Sequence, residues 1–142
     1  MPILRVRDLM TADVFTIRSD ESIQALQDLM NEKFIRHVPV VDDEGALVGL
    51  ASDRDLLRQA QLADATLPLS ARREVMNAAK VIDIMTADVA TVDVEASVAE
   101  AAAVMLDNKY GCVPVLEEGL LAGILTEADF VRHVADTEGE DS

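Results

Sequence analysis

The sequence predicts an α+β (α/β) fold built from two copies of one strand, helix, strand, strand, helix unit, and two observations carry that prediction. The first is an internal repeat. Sliding the chain by 75 residues, and by 74 beyond an acidic turn, superimposes residues 6–58 on 81–132 with 18 identities in 52 pairs, which marks a duplicated unit. The second is periodicity, which alternates in each copy between β-branched runs and helical spacing. The chain has 142 residues and is 50% apolar. Copies of roughly 55 residues are marginal alone and are expected to pack together. The expected organisation is copy one over residues 6–61, a helical connection over 62–80, copy two over 81–135, and a disordered acidic tail over 136–142.

Val6 to Met10 form a short helical or extended lead-in, Thr11-Ala12-Asp13 a turn, and Val14-Phe15-Thr16-Ile17 a strand rich in β-formers. Ser19-Asp20-Glu21-Ser22 supplies capping oxygens and early acidic charge, so a helix follows. Its buried face is predicted to be Ile23, Leu26, Leu29, Met30 and Phe34. The matching helix of copy two runs from Ser97 to Asn108, with a smaller face of Val98, Ala101, Ala102, Met105 and Leu106. Val38 to Val41 and Leu47 to Ala51 read as a hairpin around Asp42-Asp43-Glu44-Gly45; Glu117-Glu118-Gly119 makes the same turn with one residue fewer. Pro39 and Pro114 cannot donate to a ladder and are expected at a strand start or on an edge. Helices from Ser52 to about Gln61 and from Thr126 to about Ala135 close the copies. In the connection, Pro68 stops one helix and Ser70 is placed to cap the next, Ala71 to Ala79.

A net charge of −15 argues against nucleic acid or an anionic membrane as partner, because those polyanions are held by Lys and Arg. Residues 1–75 carry nine Lys/Arg against thirteen Asp/Glu, whereas residues 76–142 carry three against fourteen. A small anion is therefore expected to favour basic groups of the first half. The single Cys112 excludes an internal disulfide, and Met1 to Arg5 begin no apolar run of signal-peptide length. No stretch reaches the ~18 apolar residues of a membrane span. A cytoplasmic protein is expected.

Two stretches carry the candidate chemistry: Gly49-Leu50-Ala51-Ser52-Asp53-Arg54-Asp55, and Gly123-Ile124-Leu125-Thr126-Glu127-Ala128-Asp129. Each matches a helix capping box, with the acid three residues after the hydroxyl. Each also offers first-turn amides that can meet a phosphate, and a short Asp, a poorer cap than Glu, that can accept from a vicinal diol. The glycine three residues before each hydroxyl lets a ligand approach the backbone closely. Arg36, His37, Arg54 and Arg58 surround the first motif; the matching positions of copy two are Gly111, Cys112, Ala128 and Arg132. This asymmetry predicts that one site binds a phosphate-bearing ligand more tightly, with a preference that rises with phosphate number. Cys112 reads as a small packed residue, since no base partners it. Tyr110 stands next to Gly111. His37, His133 and Cys112 lack paired ligand spacing, so no metal is expected. Neither a catalytic constellation nor a Walker loop appears, so the chain reads as a binding module and not an enzyme.

Asp8-Leu9-Met10-Thr11, Val38-Pro39-Val40-Val41 and the Gly-to-Asp motif, all repeated, resemble the tandem cystathionine-β-synthase (CBS) domain pair, or Bateman module. The resemblance covers the chain apart from the connection and tail. It implies two βαββα units in pseudo-two-fold contact, with clefts between them that hold adenine nucleotides. By this resemblance Asp55 and Asp129 take ribose hydroxyls, Ser52 and Thr126 lie beside phosphate, and Thr11 and Thr86 border the clefts. Arg36, His37, Tyr110 and Cys112 flank the strand that frames the base. The function implied is a stand-alone sensor of AMP, ADP or ATP, with NAD or S-adenosylmethionine as other ligands. It also implies a homodimer through helix faces and an unidentified protein partner; independently, residues 98–106 with Leu56, Leu57, Phe130, Val131 and Val134 carry more apolar surface than one core of this size must bury. The alternative is a dimeric interaction scaffold with empty or degenerate clefts.

Overall fold

A computed structural model of the chain describes residues 4–62, 68–108 and 111–140. In order, the elements are α1 (Val6–Leu9), β1 (Ile17–Arg18), α2 (Ile23–Lys33), β2 (His37–Val41), β3 (Leu47–Ser52), α3 (Asp53–Leu62), α4 (Leu69–Ala78), α5 (Val81–Ile84), β4 (Val92–Asp93), α6 (Val98–Asn108), β5 (Cys112–Glu117), β6 (Leu120–Thr126) and α7 (Glu127–Glu140). The predicted strand, helix, strand, strand, helix order is present twice. Each copy builds a three-stranded sheet, β1-β2-β3 and β4-β5-β6, in which the first pair is parallel and the second antiparallel.

The two compact units cut across the repeat. One spans Phe15–Val89; the other joins the N-terminal residues through Val14 to those from Ala90 onward. Each lead-in helix therefore packs on the body of the other copy, and we name the units by their acids, Asp55 and Asp129. In the Asp129 unit, Val6 N donates to Ala96 O at 2.9 Å and Arg7 N to Val94 O at 3.1 Å. Val6 is fully buried there among Val92, Val94, Ala101, Met105, Val113, Val115 and Leu125. In the Asp55 unit, Val81 N donates to Glu21 O at 2.8 Å and Ile82 N to Ser19 O at 3.0 Å. Val81 is buried with Ile17, Leu26, Met30, Val38, Val40 and Ala51.

Local chemistry accounts for the elements. Ser22 caps α2 by accepting from Ala25 N at 3.1 Å. Phe34 ends that helix in the left-handed region, with φ 56°. It is 93% exposed, not part of the buried face as predicted: the reversal that closes the helix swings its side chain off the stripe led by Leu26 and Met30. The Val14 to Ile17 strand shrinks to Ile17–Arg18, where among the described residues it pairs with β2 at Val40 and Val41. Helix α4 begins at Leu69, after Pro68 and without a side-chain cap, so Ser70 lies inside it. Helix α7 continues to Glu140. The tail expected to be disordered is helical over 136–140, where no proline interrupts the backbone ladder.

Pro39 and Pro114 lie in the central strands, not on edges. Their registers explain this. Pro39 pairs with Leu50, whose N–H and C=O both bond Thr86, so the Pro39 nitrogen faces away from β3. On that side β1 begins pairing only at Val40, and no donor is missed. Pro114 repeats this against Ile124, which bonds Thr11. Residues 63–67 of the connection and 141–142 of the tail lie outside the described residues. Among the described residues, no helix is long and apolar enough to cross a membrane.

Candidate functional site

Ser52 ends β3 and Asp53 starts α3; Thr126 ends β6 and Glu127 starts α7. Each hydroxyl thus stands where a strand hands over to a helix, beside amides with no partner within the helix. In the Asp55 unit, Asp55 Oδ2 accepts from Ser52 N at 2.9 Å and from Ser52 Oγ at 3.0 Å, and Ser52 Oγ accepts from Asp55 N at 3.3 Å. The capping box is therefore formed, and a short Asp fills it well because the hydroxyl residue sits in extended backbone that brings its amide within reach. Among the described residues, Asp55 Oδ1 has no hydrogen-bond partner.

The same four positions close further in the Asp129 unit. Asp129 Oδ2 accepts from Thr126 N at 2.9 Å and Thr126 Oγ1 at 3.3 Å. Its Oδ1 accepts from Thr11 Oγ1 at 3.1 Å and from the Arg132 guanidinium at 3.0 Å. Asp129 is 3% exposed and is the buried charged side chain among the described residues; these partners offset the cost of taking it out of water. Thr86, the counterpart of Thr11, pairs with Leu50 through its backbone, at 2.9 Å in both directions. Its hydroxyl makes no bond to Asp55.

The motif glycines serve the chain itself. A Cβ on Gly123 would stand 2.8 Å from the Thr11 carbonyl oxygen and 2.8 Å from Met10 Sδ. On Gly49 it would stand 2.8 Å from the Thr86 carbonyl oxygen and 2.6 Å from Met85 Sδ. The close backbone approach expected of a ligand is taken by the Met-Thr turn, which bridges to Ile124 in one unit and Leu50 in the other. That contact brings Thr11 to Asp129.

The basic residues are distributed as follows. Arg36, Arg54 and Arg58 are exposed and form no ion pair among the described residues. Arg36 lines a groove of about 610 Å3 between α2 and α3, with Met30, Phe34, Leu56, Leu57 and Asp53. His37 is half-buried and pairs with Ser52 across the sheet; Cys112 holds the same place opposite Thr126. Cys112 is buried, and its thiol is pushed up to about 12 by burial and then by the charge of Glu127. It is a packed residue, not a nucleophile. Tyr110 lies outside the described residues. No group of three or more His, Cys, Asp or Glu is placed to hold a metal among the described residues. Sequence reasoning missed Arg132 as a partner of Asp129; the signal was the Asp-to-Arg spacing of three, present in both copies.

The CBS domain family model matches the chain twice, over residues 6–61 and 81–136. Hypoxic response protein 1 of Mycobacterium tuberculosis is 33% identical over 128 residues, covering 90% of this chain and 83% of that protein. A solved structure of hypoxic response protein I, with two coordinated zinc ions, superimposes with a TM-score of 0.75 at 32% identity, over 91% of this chain and 98% of the other. CBSX2, known from Arabidopsis thaliana, in complex with AMP gives a TM-score of 0.78 at 28% identity, over 95% of this chain and 98% of the other. The CBS domain pair of MJ0100, in complex with 5′-methylthioadenosine and S-adenosyl-L-methionine, gives 0.76 at 26% identity, over 96% and 99%. The chain spans 32% of the length of a longer relative from Methanocaldococcus jannaschii.

Proposed function

From the premise that this chain belongs to the CBS domain family, we propose that it is a regulatory module that binds adenine-containing nucleotides and reports their presence to a protein partner. The observation that carries this reading is the hydroxyl and carboxylate at the strand-to-helix junction of each unit, with Asp55 Oδ1 unpartnered among the described residues. A free carboxylate oxygen near the start of a helix suits a ligand with a diol at one end and phosphate at the other. Ser52 and Thr126 supply hydroxyls for phosphate, and Thr11 and Thr86 border the sites. Arg54 and Arg58, which form no ion pair among the described residues, supply charge for phosphates. The AMP held by CBSX2 and the adenosine compounds held by MJ0100 support adenine as the base. The module acts in the cytoplasm as a binding protein, not an enzyme. AMP, ADP and ATP are its first ligands, with NAD and S-adenosylmethionine next.

The test is a thermal-shift and calorimetry panel of these five compounds. A ligand at 100 times its dissociation constant adds ~2.7 kcal/mol to stability. Failure of all five to shift the melt at millimolar concentration rejects the reading and leaves the empty-cleft scaffold.

Association into a homodimer is part of the same proposal. Leu57 is 60% exposed, Leu106 79%, Val131 68% and Val134 54%, and such apolar side chains on outer helices suit a second copy. Other residues assigned to that face serve their own units. Ala101 and Met105 are buried in one core, and Leu56 and Phe130 pack against the cores of their respective units. The helix stripe must cover its own sheet first.

A further inference from the structure

One device appears in two states within this chain. Thr11, Thr126, Asp129 and Arg132 match Thr86, Ser52, Asp55 and Arg58 position for position. In the Asp129 unit both carboxylate oxygens are taken, Oδ1 by the Thr11 hydroxyl at 3.1 Å and Arg132 at 3.0 Å. In the Asp55 unit, among the described residues, only Oδ2 is used, and neither Thr86 nor Arg58 reaches the acid. The copies also differ in local charge. Arg54 stands four residues before Arg58, and like charges at that spacing repel; Ala128 leaves Arg132 free to turn onto Asp129. The Asp129 side chain is 1% exposed and that of Arg132 64%, so the guanidinium covers the acid from the solvent side.

We propose that Thr11 and Arg132 form a latch over Asp129 that holds this site shut, making the Asp55 unit the one that binds nucleotide first. The inference rests on the assignment of the two acids to ribose. A ribose diol reaching Asp129 must displace Thr11 and Arg132, whereas Asp55 Oδ1 has no partner among the described residues. The latch also removes the Asp129 unit's only motif cation from phosphate binding, while Arg54 and Arg58 of the other unit form no ion pair among the described residues. Arg132 and Thr11 are thus specificity-determining residues for which site fills.

Adenosine, which has no phosphate, separates a latch from a phosphate ligand. In calorimetry, the wild-type chain binds adenosine with Asp55 and loses that binding in Asp55→Ala. In the Asp55→Ala background, Arg132→Ala or Thr11→Val raises adenosine affinity about threefold each, and together about tenfold. A melting curve on each variant confirms folding. Unchanged adenosine affinity in both variants, with AMP binding weakened by Arg132→Ala, makes Arg132 a phosphate ligand and overturns the latch. Two equal wild-type sites overturn it as well. Binding of neither adenosine nor AMP, by wild type and variants alike, overturns the nucleotide assignment itself and the latch with it.

Discussion

Replacing Gly123 by Ala puts a methyl carbon 2.8 Å from the Thr11 carbonyl oxygen and 2.8 Å from Met10 Sδ. The Met10 side chain can swing aside, but the carbonyl is backbone, so the turn must retreat by roughly half an ångström to reach ordinary contact. Two hydrogen bonds oppose that retreat: Thr11 N to Ile124 O at 2.9 Å and Ile124 N to Thr11 O at 3.0 Å. Overpacking of this kind costs ~1–3 kcal/mol, and each weakened bond adds up to ~0.5–1.5 kcal/mol. The lower chain entropy of Ala in the unfolded state returns ~0.4–1 kcal/mol. The expected loss is about 2–4 kcal/mol, read from urea unfolding followed by circular dichroism. Gly49→Ala should match it, because Thr86 O lies at the same 2.8 Å. Gly45→Ala is the control: it meets nothing within 4 Å but has φ +86°, and should lose only ~1–2 kcal/mol of backbone strain. A Gly123→Ala chain within 0.5 kcal/mol of wild type would show that the Met-Thr turn is not docked on β6, and would remove Thr11 from the site.

The acids should differ in their hold on the fold. Asp129→Ala strands the Thr11, Thr126 and Arg132 donors and should cost about 2–3 kcal/mol, whereas Asp55→Ala removes a cap worth ~1 kcal/mol; equal losses in urea titration would contradict the different networks. Phe34→Gly should stabilise the chain by about 1 kcal/mol, since it relieves a left-handed residue that is almost wholly exposed; destabilisation would mean that Phe34 is covered in solution. Burial, and then Glu127, raise the Cys112 thiol from 9.0 to about 12, so a thiol reagent at pH 8 should label it only after unfolding. Between those values the unfolded chain releases its thiol proton and the folded chain keeps it, so stability falls with rising pH, and Cys112→Ala should remove that part of the slope. Leu57→Glu or Val131→Glu should shift light scattering from dimer toward monomer; a wild-type chain that is monomeric at tens of micromolar rejects the dimer.

The duplication and the element order were legible in the sequence because both are local. Residue identities recur at a fixed offset, and helical and strand periodicities differ within a few residues. The hydroxyl and carboxylate three apart at the start of α3 and α7 were legible for the same reason: a capping box needs only neighbours along the chain. What only the tertiary structure decided was pairing across distance. Val6-Arg7-Asp8-Leu9-Met10-Thr11 and Val81-Ile82-Asp83-Ile84-Met85-Thr86 have nearly the same apolar pattern, so either could dock on either sheet. Packing sends each to the other copy's body, and Thr11 therefore meets Asp129 instead of Asp55. The same holds for Gly49 and Gly123: the sequence marks a place where backbone comes close, and the fold decides that the visitor is the chain's own turn. Pro39 and Pro114 could enter central strands because β1 and β4 pair just two residues each, a length that propensity over Val14 to Ile17 overstated. Propensity and spacing are properties of a segment, whereas which oxygen of Asp129 meets which donor depends on backbone brought together from residues more than 100 positions apart.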